Sequence, residues 1–267
     1  MKKYSFLTNK YVLSAIVLIG CLIADVILHK GMSRVIIPSA FTEKRQPQNF
    51  NTCNAKLINH SKHWLRAVGT VEAMQQLPAE TNGFEWDVYF DNAENNFKIY
   101  DSLAVSGLAA DTLLSIYAGR NLAASIWFNV KNLNASNSIA ALTDLLQLRR
   151  RYALFNKIIV ASDAPEYLNA YCDSGFFTGY NVPYFNPYKI QEDTLVHYID
   201  IMAENLKRYP VNALSGSYFQ YPVLKKYFPN FPILTWTDNS NISLINRVFN
   251  THLKNEEQIK IVLYPFQ

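Results

Sequence analysis

A chain of 267 residues suits one large domain or two small ones. Its 49% hydrophobic and 17% charged content excludes an intrinsically disordered chain. The net charge of +4 is spread without clusters, which excludes the dense basic footprint of a nucleic-acid-binding protein.

The chain opens with Lys2, Lys3 and Lys10, followed by an apolar run from Tyr11 to Leu28 that only Asp25 interrupts. At ~1.5 Å rise per residue such a run nearly spans a bilayer core of about 30 Å. It reads as a signal peptide or signal anchor over 1–29, with the basic leader holding the N-terminus in the cytoplasm. The domain is then expected outside the cytoplasm, on the periplasmic side of the inner membrane in a bacterium. Leu18-Ile19-Gly20-Cys21 resembles a bacterial lipobox, which makes a lipoprotein at Cys21 the alternative. Apolar character continues past Cys21, which favours an uncleaved span. Residues 30–54, with Pro38, Pro47 and several Asn and Gln, read as a tether, and 55–267 as the folded domain. Cys53 and Cys172 either pair outside the cytoplasm or remain two free thiols.

Beyond the tether, short apolar runs alternate with helical segments. Strands are expected at 56–60, 83–89, 124–130, 157–161, 176–180, 212–215, 232–236 and 260–263, with an added strand at 96–100. Helices are expected at 71–77, 111–117, 138–150, 165–172, 191–208, 221–227 and 242–251. Thr70 is placed to cap the first of these and Pro165 suits a first helical turn. Eight strands interleaved with helices predict an α/β fold, a (β/α)8 TIM barrel preceded by an N-terminal transmembrane or signal helix. An open doubly wound sheet is the alternative, but no Gly-rich loop follows the first strand.

In such a barrel the site lies at the C-terminal ends of the strands. Gly83-Phe84-Glu85-Trp86-Asp87-Val88 puts two carboxylates on one face of an apolar strand, because strand side chains alternate. Like charges so placed need a cation or strong donors between them, which predicts a divalent-metal site. The other reading is an acidic outer face. Asn129 and Lys131 form a second polar pair on the next strand. Lys131 either holds a phosphate-like oxygen or pairs with Glu85 or Asp87. His60 is the expected acid/base, since imidazole titrates near neutral pH, and His63 the residue that shares or takes its role. Trp236 either stacks on a ligand or fills the mouth, and Tyr180 closes strand five. A carbohydrate-active barrel would instead pair Glu85 with Asp101 or Asp163.

Over about residues 56–267 the chain resembles the glycerophosphodiester phosphodiesterase-like branch of the phospholipase C-like phosphodiesterases. Leu57-Ile58-Asn59-His60-Ser61 looks like that family's opening strand and its His-Arg pair. Val68-Gly69-Thr70-Val71-Glu72-Ala73-Met74 is similar to its Glu-Asn-Thr helix start. Gly83 to Val88 looks like its Glu-x-Asp metal strand. Lys98-Ile99-Tyr100-Asp101 falls on its His-Asp pair, Trp127 to Lys131 on its Glu-x-Lys strand, and Leu234 to Thr237 on its late Trp-Thr strand. Lys131-Asn132 gives a more distant similarity to menorin proteins.

The resemblance implies a TIM barrel that hydrolyses phosphodiesters. Glu85, Asp87 and Asn129 would hold Ca2+ or Mg2+, hard cations that prefer oxygen. His60 would be general acid or base, with Tyr100 in place of a second histidine, and Lys131 would meet phosphoryl oxygens. Asn129, Trp236 and Tyr180 would touch substrate. The expected partners are a membrane, through the N-terminal helix, and a phosphodiester or glycan ligand, small or polymeric. A glycerophosphodiester, a lipid headgroup or a phosphate-containing surface polymer would each suit. The departures at Ser61, Tyr100 and Asn129 give the alternative, a barrel that binds a surface glycan or phospholipid headgroup without catalysing.

Overall fold

In the computed structural model the chain runs α1 (Lys10–Leu28), α2 (Lys30–Ile36), β1 (His63–Arg66), α3 (Val71–Gln76), β2 (Gly83–Asp91), β3 (Asn96–Asp101), β4 (Ala104–Ala109), α4 (Ala110–Gly119), β5 (Ser125–Val130), α5 (Ser138–Arg151), β6 (Ile158–Ser162), α6 (Asn169–Asp173), β7 (Phe177–Asn181), α7 (Glu192–Arg208), β8 (Ala213–Ser217), α8 (Tyr221–Tyr227), β9 (Ile233–Trp236), α9 (Leu244–Asn255) and β10 (Ile259–Pro265). It describes residues 10–38, 41, 50–101, 104–237 and 243–266, with the side chains of 101 and 104–106 left aside.

Eight parallel strands close into a barrel in the order β1, β2, β5, β6, β7, β8, β9, β10, with β10 returning to β1. β3 and β4 stand outside this ring as an antiparallel extension of β2. Alternation decides which side chains look inward. Trp64, Trp127, Ile159, Ala161, Ala213, Leu234, Ile261 and Leu263 form the barrel's inner cluster. Residues two positions further along β1, β5 and β9, namely Arg66, Asn129 and Trp236, therefore share that inner face nearer the C-terminal rim. On the outer face Phe84, Trp86 and Phe128 form a chain of aromatic contacts. Gly83 is required by this packing: a Cβ there would lie 2.3 Å from the Trp64 ring.

The first strand begins at His63, not at Lys56. Leu57 packs against the inner cluster from below, which accounts for its apolar character without a strand. The Ile58 carbonyl accepts from Ser125 Oγ at 2.6 Å, and Asn59 Oδ1 accepts from Trp64 Nε1 at 3.1 Å and from Asn82 Nδ2 at 2.8 Å. Ser125 opens β5 and Asn82 directly precedes β2, so this segment straps the N-terminal floor of the barrel. The strap extends back to Thr52, which bridges Val211, and to Cys53, which is disulfide-bonded to Cys172 in the last turn of α6.

The chain divides into two units, residues 1–40 with 239–256 and residues 41–238 with 257–267. The second carries the barrel strands. The first holds α1, α2 and α9. Within it the Asp25 carboxylate accepts from the Ile245 backbone N–H at 3.0 Å, and Ser243 caps α9 by accepting from Asn246 N. α1 is 19 residues long, apolar enough to cross a membrane or serve as a signal sequence, and none of it is buried. Lys30–Ile36, within the stretch read as tether, is helical.

Candidate functional site

β2 and β5 lie in register, Glu85 beside Trp127 and Asp87 beside Asn129, so the acidic pair and the amide meet on the barrel's inner rim. Asn129 Nδ2 donates to Glu85 Oε1 at 2.9 Å and to Asp87 Oδ1 at 2.8 Å. Its own Oδ1 accepts from Asn181 Nδ2 at 2.8 Å, across the mouth from β7. Lys131 Nζ pairs with Asp87 Oδ1 at 2.8 Å, and Arg66 Nε approaches Glu85 Oε2 to 3.8 Å. The expectation that the carboxylates share an inner face is met, and Lys131 takes the ion-pair role. Burial, with Asp87 alongside, pushes the Glu85 carboxyl up to about 7, against the opposing pull of Lys131 and Arg66.

Two cavities of about 540 Å³ each meet at this cluster. Arg66, Glu85 and Asp87 line both. The polar one continues over Asn129, Lys131, Asp163, Asn181, Tyr184 and Trp236. The other runs toward α3, β3 and the end of β10, with Tyr100 on its wall.

The donor set does not fit the divalent cation that the Glu-x-Asp strand suggested. A metal would take the inner oxygens of Glu85 and Asp87, and those oxygens accept from one amide NH2. The Asn129 carbonyl, the third oxygen a cation would need, is turned to Asn181. Among the described residues no three His, Cys, Asp or Glu converge on a point. The Asn129 NH2 thus stands between the carboxylates where a cation would meet their oxygens.

Other expectations shift with the first strand. His60 is exposed on the floor strap, its backbone N–H donating to Asn82 Oδ1 at 3.1 Å, at the end of the barrel away from Glu85. His63 opens β1 on the face opposite Trp64, exposed, with its ring stacked on Tyr264 at 4.3 Å. Neither histidine lines a cavity at the mouth. Tyr180 also departs from its expected place. It alternates with inward Gly179 and Asn181, is fully buried, and its hydroxyl accepts from Asn205 of α7 at 2.8 Å. The inward residue at the end of that strand is Asn181.

Arg66 is the site residue that the sequence reading passed over. A first strand expected to start at Lys56, seven residues before His63, hides the inward alternation of Trp64 and Arg66. At the top of the first strand, where the resemblance led us to expect a histidine, the chain has this arginine. The following Ala67 has a left-handed φ of 62°, an uncommon backbone that turns the chain off the rim. Asp163 lines the polar cavity, while the side chain of Asp101 lies outside the described residues.

No protein-family model matches the sequence, and no curated protein matches it. Solved structures do match. A protein from Silicibacter pomeroyi DSS-3, assigned as a glycerophosphoryl diester phosphodiesterase, superposes with a TM-score of 0.51 at 12% identity, over 79% of this chain and 91% of that one. A protein from Galdieria sulphuraria, assigned as a glycerophosphodiester phosphodiesterase, gives 0.51 at 12% identity over 78% and 94%. One from Agrobacterium tumefaciens, assigned as a glycerophosphoryl diester phosphodiesterase, gives 0.52 at 7% over 76% and 93%. At such identities the likeness is one of fold: this chain carries a barrel similar to that of glycerophosphodiester phosphodiesterases, far diverged in sequence.

Proposed function

We propose that the barrel mouth recognises a phosphodiester, with Arg66 and Lys131 as the donors to its phosphoryl oxygens. The observation that carries this reading is their placement. Both cations stand half exposed on the rim, at 42% and 37% side-chain exposure, beside buried Glu85 and partly exposed Asp87. The Arg66 guanidinium makes one long contact, to Glu85, and its planar fork suits two oxygens of one phosphate. Lys131 supplies a point charge. The likeness in fold to phosphodiesterases supports the substrate class.

Glu85 favours a second, catalytic reading. It is buried beside Arg66, and burial holds its carboxyl up at about 7. Such a group can give its proton to the leaving alcohol oxygen as the P–O ester bond breaks and water forms the new P–O bond, the proton that water loses passing to solvent and restoring Glu85, work expected of His60 from the sequence. Hydrolysis would run through chain residues alone.

The same proposal holds the barrel against a membrane by α1, on an oxidising side. Support comes from the apolar, uncovered α1 and from the Cys53–Cys172 bond, which persists outside reducing compartments.

The test is calorimetric titration of the full chain, held in amphipol, with glycerophosphocholine. Arg66→Ala should weaken binding about tenfold or more, as loss of a charge-assisted pair does. Equal affinity of wild type and variant would sink the reading. Release of choline by wild type but not by Glu85→Gln would establish the catalytic reading, and no release by either would leave a binding barrel.

A further inference from the structure

The phosphodiester mouth does not account for the second cavity. Its wall is apolar for the most part, built from Val71, Trp86, Ile99, Leu108, Pro265 and Phe266. These residues come from α3, from β2, from the antiparallel extension β3–β4, and from the end of β10 and the residue that follows it. Two of them, Ile99 and Leu108, belong to strands that the eight-stave ring does not need. Among the described residues, no buried polar side-chain atom lacking a partner belongs to a residue of this wall. The polar groups on the wall away from the shared residues are Thr70, Glu72 and Tyr100, and Thr70 Oγ1 already accepts from Ala73 N. At its inner end the cavity reaches Arg66, Glu85 and Asp87, the residues that also line the polar cavity. A ligand that fills both must carry charge at one end and hydrocarbon at the other.

We propose that the mouth takes a single-chain, lysophospholipid-type phosphodiester. The phosphate sits at Arg66 and Lys131, and the first methylenes of the chain lie along Ile99, Leu108 and Phe266. The inference rests on the phosphodiester reading above and adds the chain. It assigns β3–β4 a purpose, as the wall that distinguishes acylated from deacylated substrate. A ligand with an apolar tail and a phosphodiester head is also what a barrel anchored by α1 would meet at a bilayer.

The experiment compares two probes on the full chain in amphipol, glycerophosphocholine and octanoyl lysophosphatidylcholine below its micelle concentration. The chain-bearing probe should bind about tenfold tighter or more, the gain expected from burying two or more methylenes. Leu108→Glu, which puts a charge in the annex, should erase that gain and leave glycerophosphocholine affinity unchanged. Val71→Trp, which fills the annex, should do the same, and unchanged glycerophosphocholine affinity certifies that each variant is folded. Equal affinity of wild type for the two probes would overturn the inference while the phosphodiester reading stands. A preference that survives both variants would place the chain elsewhere and overturn it as well. Failure to bind either probe would remove both readings.

Discussion

Asn129 spends one Nδ2 on two acceptors, Glu85 Oε1 at 2.9 Å and Asp87 Oδ1 at 2.8 Å. A carboxylate in its place would withdraw that donor and add a third negative group to the inner rim. Asn129→Asp should therefore create a cation site where the wild type has a hydrogen-bond network. The variant should bind Ca2+ with a Kd on the order of 10⁻⁴–10⁻³ M, the range of sites with few charged ligands, while wild type shows no saturable heat. Calorimetric titration decides, and wild type binding Ca2+ as tightly as the variant would refute the network account. Glu85 carries a second consequence. Its folded carboxyl, at about 7, lies above the ordinary 4.5, so between those values the folded state holds a proton that the unfolded chain has released. Its contribution to stability is fully present below about 4.5 and is lost as pH rises through 7. Over that window the cost is about 3 kcal/mol at most. Glu85→Gln keeps an acceptor for Asn129 and has no proton to lose. Denaturation of the full chain in mild detergent, followed by tryptophan fluorescence, should show the variant gaining on wild type from pH 5 to pH 8. A constant difference across that range would exclude burial of the ionised carboxylate as its cause.

The elements were legible where hydrophobic period and chain direction agreed. β2, β5, β6, β7, β8, β9 and β10 start within one or two residues of the positions expected from their apolar runs. The acidic pair was legible for the same reason, because alternation alone puts Glu85 and Asp87 on one face. β1 was misplaced because Leu57 is apolar for another reason, packing under the inner cluster, while exposed Ile58 is held there only through its backbone, bonded to Ser125 and Asn156. A short strand of four residues gave too weak an alternation to outvote them. That one slip carried His60 to the wrong end of the barrel and hid Arg66. Tyr180 failed differently. Strand five ends one residue later than expected, and period two makes one residue the difference between facing α7 and facing the mouth. β4 was not legible at all, since Ala, Ser and Gly in Ala104–Ala109 lack the bulk that marks a strand, and its pairing with β3 supplies the order instead.

At the scale of the whole molecule the barrel's two ends have separate tasks. The rim holds Arg66, Glu85, Asp87, Asn129 and Lys131, and the floor holds the strap, the Asn59–Asn82–Trp64 network and the disulfide. Cys53 lies 119 residues from Cys172, so the bond closes a long loop and removes much freedom from the unfolded chain. Its backbone is tied to the same end of the barrel, where Cys53 N–H donates to Val211 O at 3.3 Å and Asn212 Nδ2 donates to Cys53 O at 2.9 Å. A loop of this length is worth about 3–5 kcal/mol by chain entropy. Changing both Cys53 and Cys172 to serine should lower the stability of the full chain by that amount, read by denaturant titration against wild type. Because the floor strap touches none of the rim residues named above, glycerophosphocholine affinity at a temperature where both proteins are folded should stay within about twofold, the spread expected of distant, uncoupled sites. A double serine variant that remained folded yet lost affinity would show that the strap sets the geometry of the mouth, and the separation of rim from floor would have to be abandoned.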